Sequence, residues 1–179
     1  AKILNRSELL FGPLDMDIPV KIFVGTLKEQ STAARVLEYS LKKHASVSIE
    51  VLHLCDCIEE NILDFRALTR GLPVGTPFSL QRFCIPELMH YHGKAIYMDS
   101  DMQVFTDIRG LINHPLDAAF CAAEVLPEFE RPPQLSVMLI DCEIARWNIG
   151  SISELVREDK GNYSKLFENV ELLPGFART

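Results

Sequence analysis

No stretch constrains this chain more than Lys94-Ala95-Ile96-Tyr97-Met98-Asp99-Ser100-Asp101-Met102-Gln103-Val104. Ala95 to Met98 is a short apolar run, the pattern of a strand buried on both faces. Two carboxylates follow at alternate positions, where such a strand should end. In extended chain, residues i and i+2 point the same way, so Asp99 and Asp101 are expected to converge on one hard cation. A cation there can bridge a diphosphate and neutralise charge developing on it. Open α/β sheets also bind their ligands at the carboxyl ends of strands. The reading is a metal–diphosphate site. The competing reading is a pair of acids that merely caps a strand. A second pair, Asp15-Met16-Asp17, lies between Pro13 and Pro19 with no strand before it, and reads as a solvated turn.

The rest of the chain supplies a sheet around that strand. Val20–Val24 reads as a first strand with Gly25-Thr26 as its sharp exit. Ser31–His44 follows as a helix, with Ala33, Val36, Leu37, Ser40 and Leu41 as the stripe facing the sheet. Val47–Leu54 alternates as a second strand, which completes a parallel βαβ unit. Residues 58–78 read as a loop-rich connection. Ser79–Tyr91 reads as a helix that Pro86 kinks and that His90 and His92 close. A short helix over Asp107–Asn113 and a strand over Asp117–Ala123 come next, with Glu124 at that strand's end. Leu135–Ile140 is another apolar strand, ending in Asp141, and a helix carrying Trp147 follows it. The Ser151 and Glu154 spacing predicts a capping box for a further helix, and residues 162–169 a last short one. The expected class is α/β: an open, mixed but largely parallel sheet with helices on both faces.

Composition narrows the function. At 179 residues the chain has the length of one domain with a sizeable core. A formal charge of -7 argues against nucleic-acid or anionic-membrane partners, which need clustered Lys and Arg. No apolar run reaches bilayer length, so no transmembrane segment is expected. Five cysteines at uneven spacing suggest a reducing compartment, and the expected location is the cytoplasm. His53, Cys55 and Cys57 lack the second Cys/His pair of a structural zinc site. Arg82 is a cation that the helix could aim at the acidic strand end.

The central stretch also has a familiar form. Pro77-Phe78-Ser79-Leu80-Gln81-Arg82-Phe83, Ile85-Pro86 and Gly93-Lys94-Ala95-Ile96-Tyr97-Met98-Asp99-Ser100-Asp101 together resemble the retaining glycosyltransferases of family 8. Val20–Thr26 and Ser136–Asp141 extend the likeness over most of residues 18–150. The resemblance implies a GT-A (Rossmann-like) fold and transfer of a hexose from a UDP-sugar to a glycan, lipid or protein acceptor. It implies Asp99 and Asp101 as ligands of Mn2+ or Mg2+ at the diphosphate. Val24, Gly25 and Thr26 would lie against the uridine, with Met98 and Ser100 contributing backbone contacts. Arg82 would sit over the donor sugar and diphosphate. Glu124 and Gln134 match sugar-facing positions where the family more often has Asp and Asn.

After Val170 nothing matches the family's segment that adds a histidine metal ligand and a phosphate-binding lysine. The expectation is therefore one nucleotide-sugar-binding domain over residues 1–179, cut short at its C-terminus, which binds UDP weakly. One alternative is a non-catalytic or degenerate nucleotide-binding fragment. Another is a phosphatase of the haloacid-dehalogenase type, whose Asp-x-Asp supplies a nucleophile and a general acid. That motif generally opens its fold, whereas a βαβ unit precedes it here.

Overall fold

The computed structural model describes residues 18–62, 64–73, 79–122, 135–159, 163, 165 and 166. Strand β1 (Val20–Gly25) is β-branched and aromatic in its interior, and Ile22, Phe23 and Val24 are all buried. Strand β2 (Ile49–His53) pairs parallel with it on one side, and strand β3 (Lys94–Asp99) pairs parallel on the other. Strand β5 (Val137–Asp141) runs antiparallel to β3, and the short strand β4 (Phe120–Ala122) runs antiparallel to β5. The sheet order is β2-β1-β3-β5-β4. This is an open mixed α/β sheet in which β2, β1 and β3 are parallel neighbours and β5 runs against them.

Both faces are covered, as the unbroken apolar runs require. Alternation along β3 sends Ala95 and Tyr97 to one core and Ile96 and Met98 to the other. The first core contains Leu54 and Ile58 of helix α2 (Leu54–Asn61) together with Phe83 and Ile85. It also takes Ile149, Ile152 and Val156 of helix α6 (Ile149–Glu158). At its centre Trp147 is fully buried, edge-on to Phe83 and Phe120 at centroid distances of 5.7 and 5.6 Å. The second core is closed by helix α1 (Ser31–His44) and helix α5 (Arg109–Ile112). The buried stripe of α1 is Ala34, Leu37, Ser40 and Leu41, whereas Val36 of the expected stripe is 49% exposed. Two residues at helical spacing, Leu37 and Leu41, set the rotation, and Val36 lies about 100° away from Leu37.

Several boundaries differ from the sequence reading. The chain turns helical at Leu54, so the second strand ends at His53 and Cys55 and Cys57 lie on α2. Leu54, Ile58 and Ile62 are spaced by four and all buried, and that period decides for helix. Residues 58–78 are not simply loop, since α2 runs to Asn61 and helix α3 spans Phe65–Thr69. The expected helix over Ser79–Tyr91 is instead a 3-10 turn (Gln81–Cys84) leading into the short helix α4 (Ile85–Leu88). Pro86 sits in the first turn of α4, where its missing N–H costs no bond. The chain leaves α4 through His90 and Tyr91, both at positive φ (52° and 59°), so neither histidine closes a long helix. Trp147 precedes α6 in irregular chain. The cap of α6 is Asn148, whose Oδ1 accepts from the Ser151 N–H at 3.1 Å, so Ser151 lies inside the first turn. The segment 162–169 lies mostly outside the described residues.

Candidate functional site

The site grows from the carboxyl end of β3. Asp99 is the last strand residue, and across the sheet it faces Gly25, the last residue of β1. The backbone then turns: Met102 N–H donates to Asp99 O at 3.3 Å, and Ser100 N–H donates to Gly25 O at 3.1 Å. Asp101 therefore stands exposed in a turn, not in the extended chain that the i, i+2 argument assumed. The residue that does share Asp99's side of the strand is Tyr97. Its hydroxyl donates to Asp99 Oδ1.

Arg82 completes the arrangement. It is 5% exposed, and its Nε donates to Ser79 O at 3.1 Å. One terminal nitrogen donates to Leu135 O, and the other lies 3.4 Å from Asp99 Oδ1. Its guanidinium carbon stands 4.5 Å from the centre of the Tyr97 ring, a cation–π contact in a desolvated place. The Asp99 N–H donates to Ser136 O at 2.9 Å, so the start of β5 also frames the site. Burial pushes the Tyr97 hydroxyl well above its ordinary pKa; Arg82 opposes that shift and Asp99 adds to it. Tyr97 thus keeps its proton at ordinary pH and can donate it to Asp99.

Gly25 has a steric reason to be glycine. A Cβ there would lie 2.2 Å from the Tyr97 hydroxyl oxygen and 2.9 Å from two ring carbons. The close approach of β1 to Tyr97 is what lets that ring lie beneath Asp99.

Of the other expected site residues, Val24, Thr26, Met98 and Ser100 are all buried at the ends of β1 and β3. Thr26 Oγ1 donates to Leu27 O. Glu124 and Gln134 lie outside the described residues. Two features escaped the sequence reading. Tyr97 looks like one more core aromatic, and only its place two residues before Asp99 signals otherwise. Gln81, next to Arg82, is buried, and among the described residues its Oε1 has no partner. It lines a cavity of about 500 Å3 beside the β1 exit, floored by Leu27, Ile58 and Phe65 and rimmed by the Lys28–Glu59 ion pair (2.6 Å).

The donor set suits a hard divalent cation, since it offers two carboxylates and no soft ligand. Among the described residues, no group of three His, Cys, Asp or Glu side chains comes together. Asp99 and Asp101 would supply two ligands, leaving other positions to phosphate oxygens and water.

No family model matches the chain. It is 32% identical over 94 residues to Protein CDI of Arabidopsis thaliana, a match that covers 52% of this chain and 36% of that protein. The chain therefore spans about a third of the length of that curated relative. Its fold is similar to the glycosyltransferase GlyE of Streptococcus pneumoniae, with a TM-score of 0.59 and 16% identity over 86% of this chain and 44% of that one. It is also similar to the galactosyltransferase LgtC in complex with donor and acceptor sugar analogs, with a TM-score of 0.63 and 16% identity over 83% of this chain and 71% of that one. At such identities the likeness is one of fold, and the fold is the GT-A sheet.

Proposed function

We propose that this chain is the donor-binding region of a metal-dependent glycosyltransferase that takes a UDP-hexose. One observation carries the reading: an acidic strand end, Asp99 with Asp101 beyond it, braced by a buried arginine. It stands at the carboxyl edge of a sheet similar to those of GlyE and LgtC. Asp99 and Asp101 would hold Mn2+ or Mg2+. When bound, that ion would supply charge stabilisation to the departing nucleoside diphosphate.

The chain's own groups would do the rest. Asp99, Asp101 and Arg82 sum to one negative charge, so the site by itself repels a diphosphate. Diphosphate binding should therefore need the divalent ion. The ends of β1 and β3 at Val24, Gly25, Thr26, Met98 and Ser100 would present backbone to the nucleoside. Arg82 would hold Asp99 in place and add positive potential at the donor, and Glu124 and Gln134 are the candidates for contact with the sugar. The acceptor would be a glycan, lipid or protein. We place the activity in the cytoplasm, in keeping with five free thiols. Among the described residues no helix is long and apolar enough to cross a membrane.

The test is a melting curve with UDP, with and without manganese. A ligand at a hundred times its Kd adds about 2.7 kcal/mol of stability. UDP should raise the melting temperature only with the metal, and Asp99→Asn with Asp101→Asn should remove the shift while the protein stays folded. An equal shift in EDTA would sink the metal reading. Binding without any sugar transfer would leave a nucleotide-binding region.

A further inference from the structure

We infer that Tyr97 is a positioning residue for the divalent cation, acting through Asp99, an inference that rests on the function proposed above. Three independent contacts fix its hydroxyl at one place. The ring is fully buried in the core beneath the strand end. The Arg82 guanidinium covers one face at 4.5 Å. On the side of β1, Gly25 leaves room for the ring that no Cβ would allow. Among the described residues the hydroxyl then has one acceptor, Asp99 Oδ1.

The consequence lies in how the carboxylate is divided. The Tyr97 hydroxyl and the Arg82 nitrogen both go to Oδ1, and among the described residues nothing bonds Oδ2. One oxygen is tied to the protein and the other is left for the ion. A carboxylate held in this way keeps its rotamer before the metal arrives, so binding loses little side-chain freedom. Outer partners of metal ligands commonly matter by 10- to 100-fold in metal affinity. Arg82 supplies charge, but its contact at 3.4 Å is long and its other nitrogens hold two carbonyls, so the hydroxyl is the closer constraint.

The experiment is a manganese titration in saturating UDP. Free Mn2+ is followed by its electron paramagnetic resonance signal, at a temperature where circular dichroism shows each protein folded. Tyr97→Phe keeps the ring under Arg82 and removes only the hydroxyl. Its manganese midpoint should rise roughly 10- to 100-fold, as expected for loss of an outer-shell partner. A merely structural role would lower the melting temperature and leave the midpoint of the folded protein unmoved. Gly25→Ala tests the same idea without altering Tyr97, because the added methyl displaces the hydroxyl. Its midpoint should rise in the same direction. An unchanged midpoint in either folded variant would overturn the inference, while the parent's manganese dependence would still support the donor site. A parent that binds UDP without manganese would overturn both at once, and Asp99→Asn would then behave like the parent.

Discussion

Replacing Gly25 by alanine should cost far more than one methyl group ordinarily does. Gly25 is not in the left-handed region, so an alanine is no strain on the backbone there. The cost is steric. The new Cβ would stand 2.2 Å from the Tyr97 hydroxyl oxygen and 2.9 Å from two carbons of its ring. The ring has to move by about 1 Å to reach ordinary contact, and it is held by Asp99 at its tip and Arg82 on its face. Overpacking of this kind costs about 1–3 kcal/mol. Loosening a hydrogen bond to a charged group adds about 1.5–3 kcal/mol. Restriction of the unfolded chain by alanine returns about 0.4–1 kcal/mol. The balance is a loss of roughly 1.5–5.5 kcal/mol, or a fall in melting temperature of roughly 3–22 °C for a chain of this size. Urea unfolding of Gly25→Ala, Tyr97→Phe and the double variant gives the decisive comparison. Once the hydroxyl is gone the worst contact is gone, so the double variant should lose at least about 1 kcal/mol less than the sum of the single ones. Additive losses, or a Gly25→Ala protein that melts within a degree of the parent, would refute this account.

Trp147 is the single tryptophan and is fully buried, so its emission should be that of an indole shielded from water, shifting to the red on unfolding. Trp147→Ala should lose about 3–5 kcal/mol in urea titrations followed by circular dichroism. Trp147→Phe should lose less than half as much, because it keeps the aromatic contacts and removes an indole N–H that has no partner among the described residues. Alkali should weaken the fold. Burial pushes the thiols of Cys55 and Cys142 up to about 11 and about 12, and the Tyr97 hydroxyl also moves upward. Each such group stabilises the fold fully below its ordinary pKa, and that contribution is lost as pH rises towards the folded value. Melting temperature should therefore hold steady from pH 7 to about 8 and fall above about 9, where unfolded thiols ionise first. A rise above pH 9 would contradict these burial effects.

The strands were the most legible part of the sequence. Unbroken apolar runs such as Ala95–Met98 and Val137–Ile140 can only be buried on two sides, and β1, β3 and β5 lie where such runs stand. The acidic strand end was legible too, since Asp99 follows directly on such a run. What stayed hidden depends on contacts distant in sequence. Arg82 reads as a cation aimed at the acidic strand end, and it meets Asp99 there, but nothing local tells that the chain turns at Ser100 and Asp101, with Met102 N–H on Asp99 O. Tyr97 was hidden by its own hydrophobicity, which explains its burial without asking about the hydroxyl. Local signals also competed at the start of α6. Ser151 offers a plausible cap, yet Asn148 sits where the chain leaves the core behind Trp147, and the earlier residue takes the role.

Strand β3 contributes alternate side chains to both cores, with Ala95 and Tyr97 on one face and Ile96 and Met98 on the other. Loss of β3 would therefore open both cores together. The two layers should melt in one cooperative step, not as separate units. Amide protons of Ile96 to Met98 should exchange with solvent only through global opening, at the slow limit set by the whole protein's stability. The site inherits this property: Asp99 is the next residue on the least openable segment of the chain. Its carboxylate would then be held in position by the same event that folds the protein.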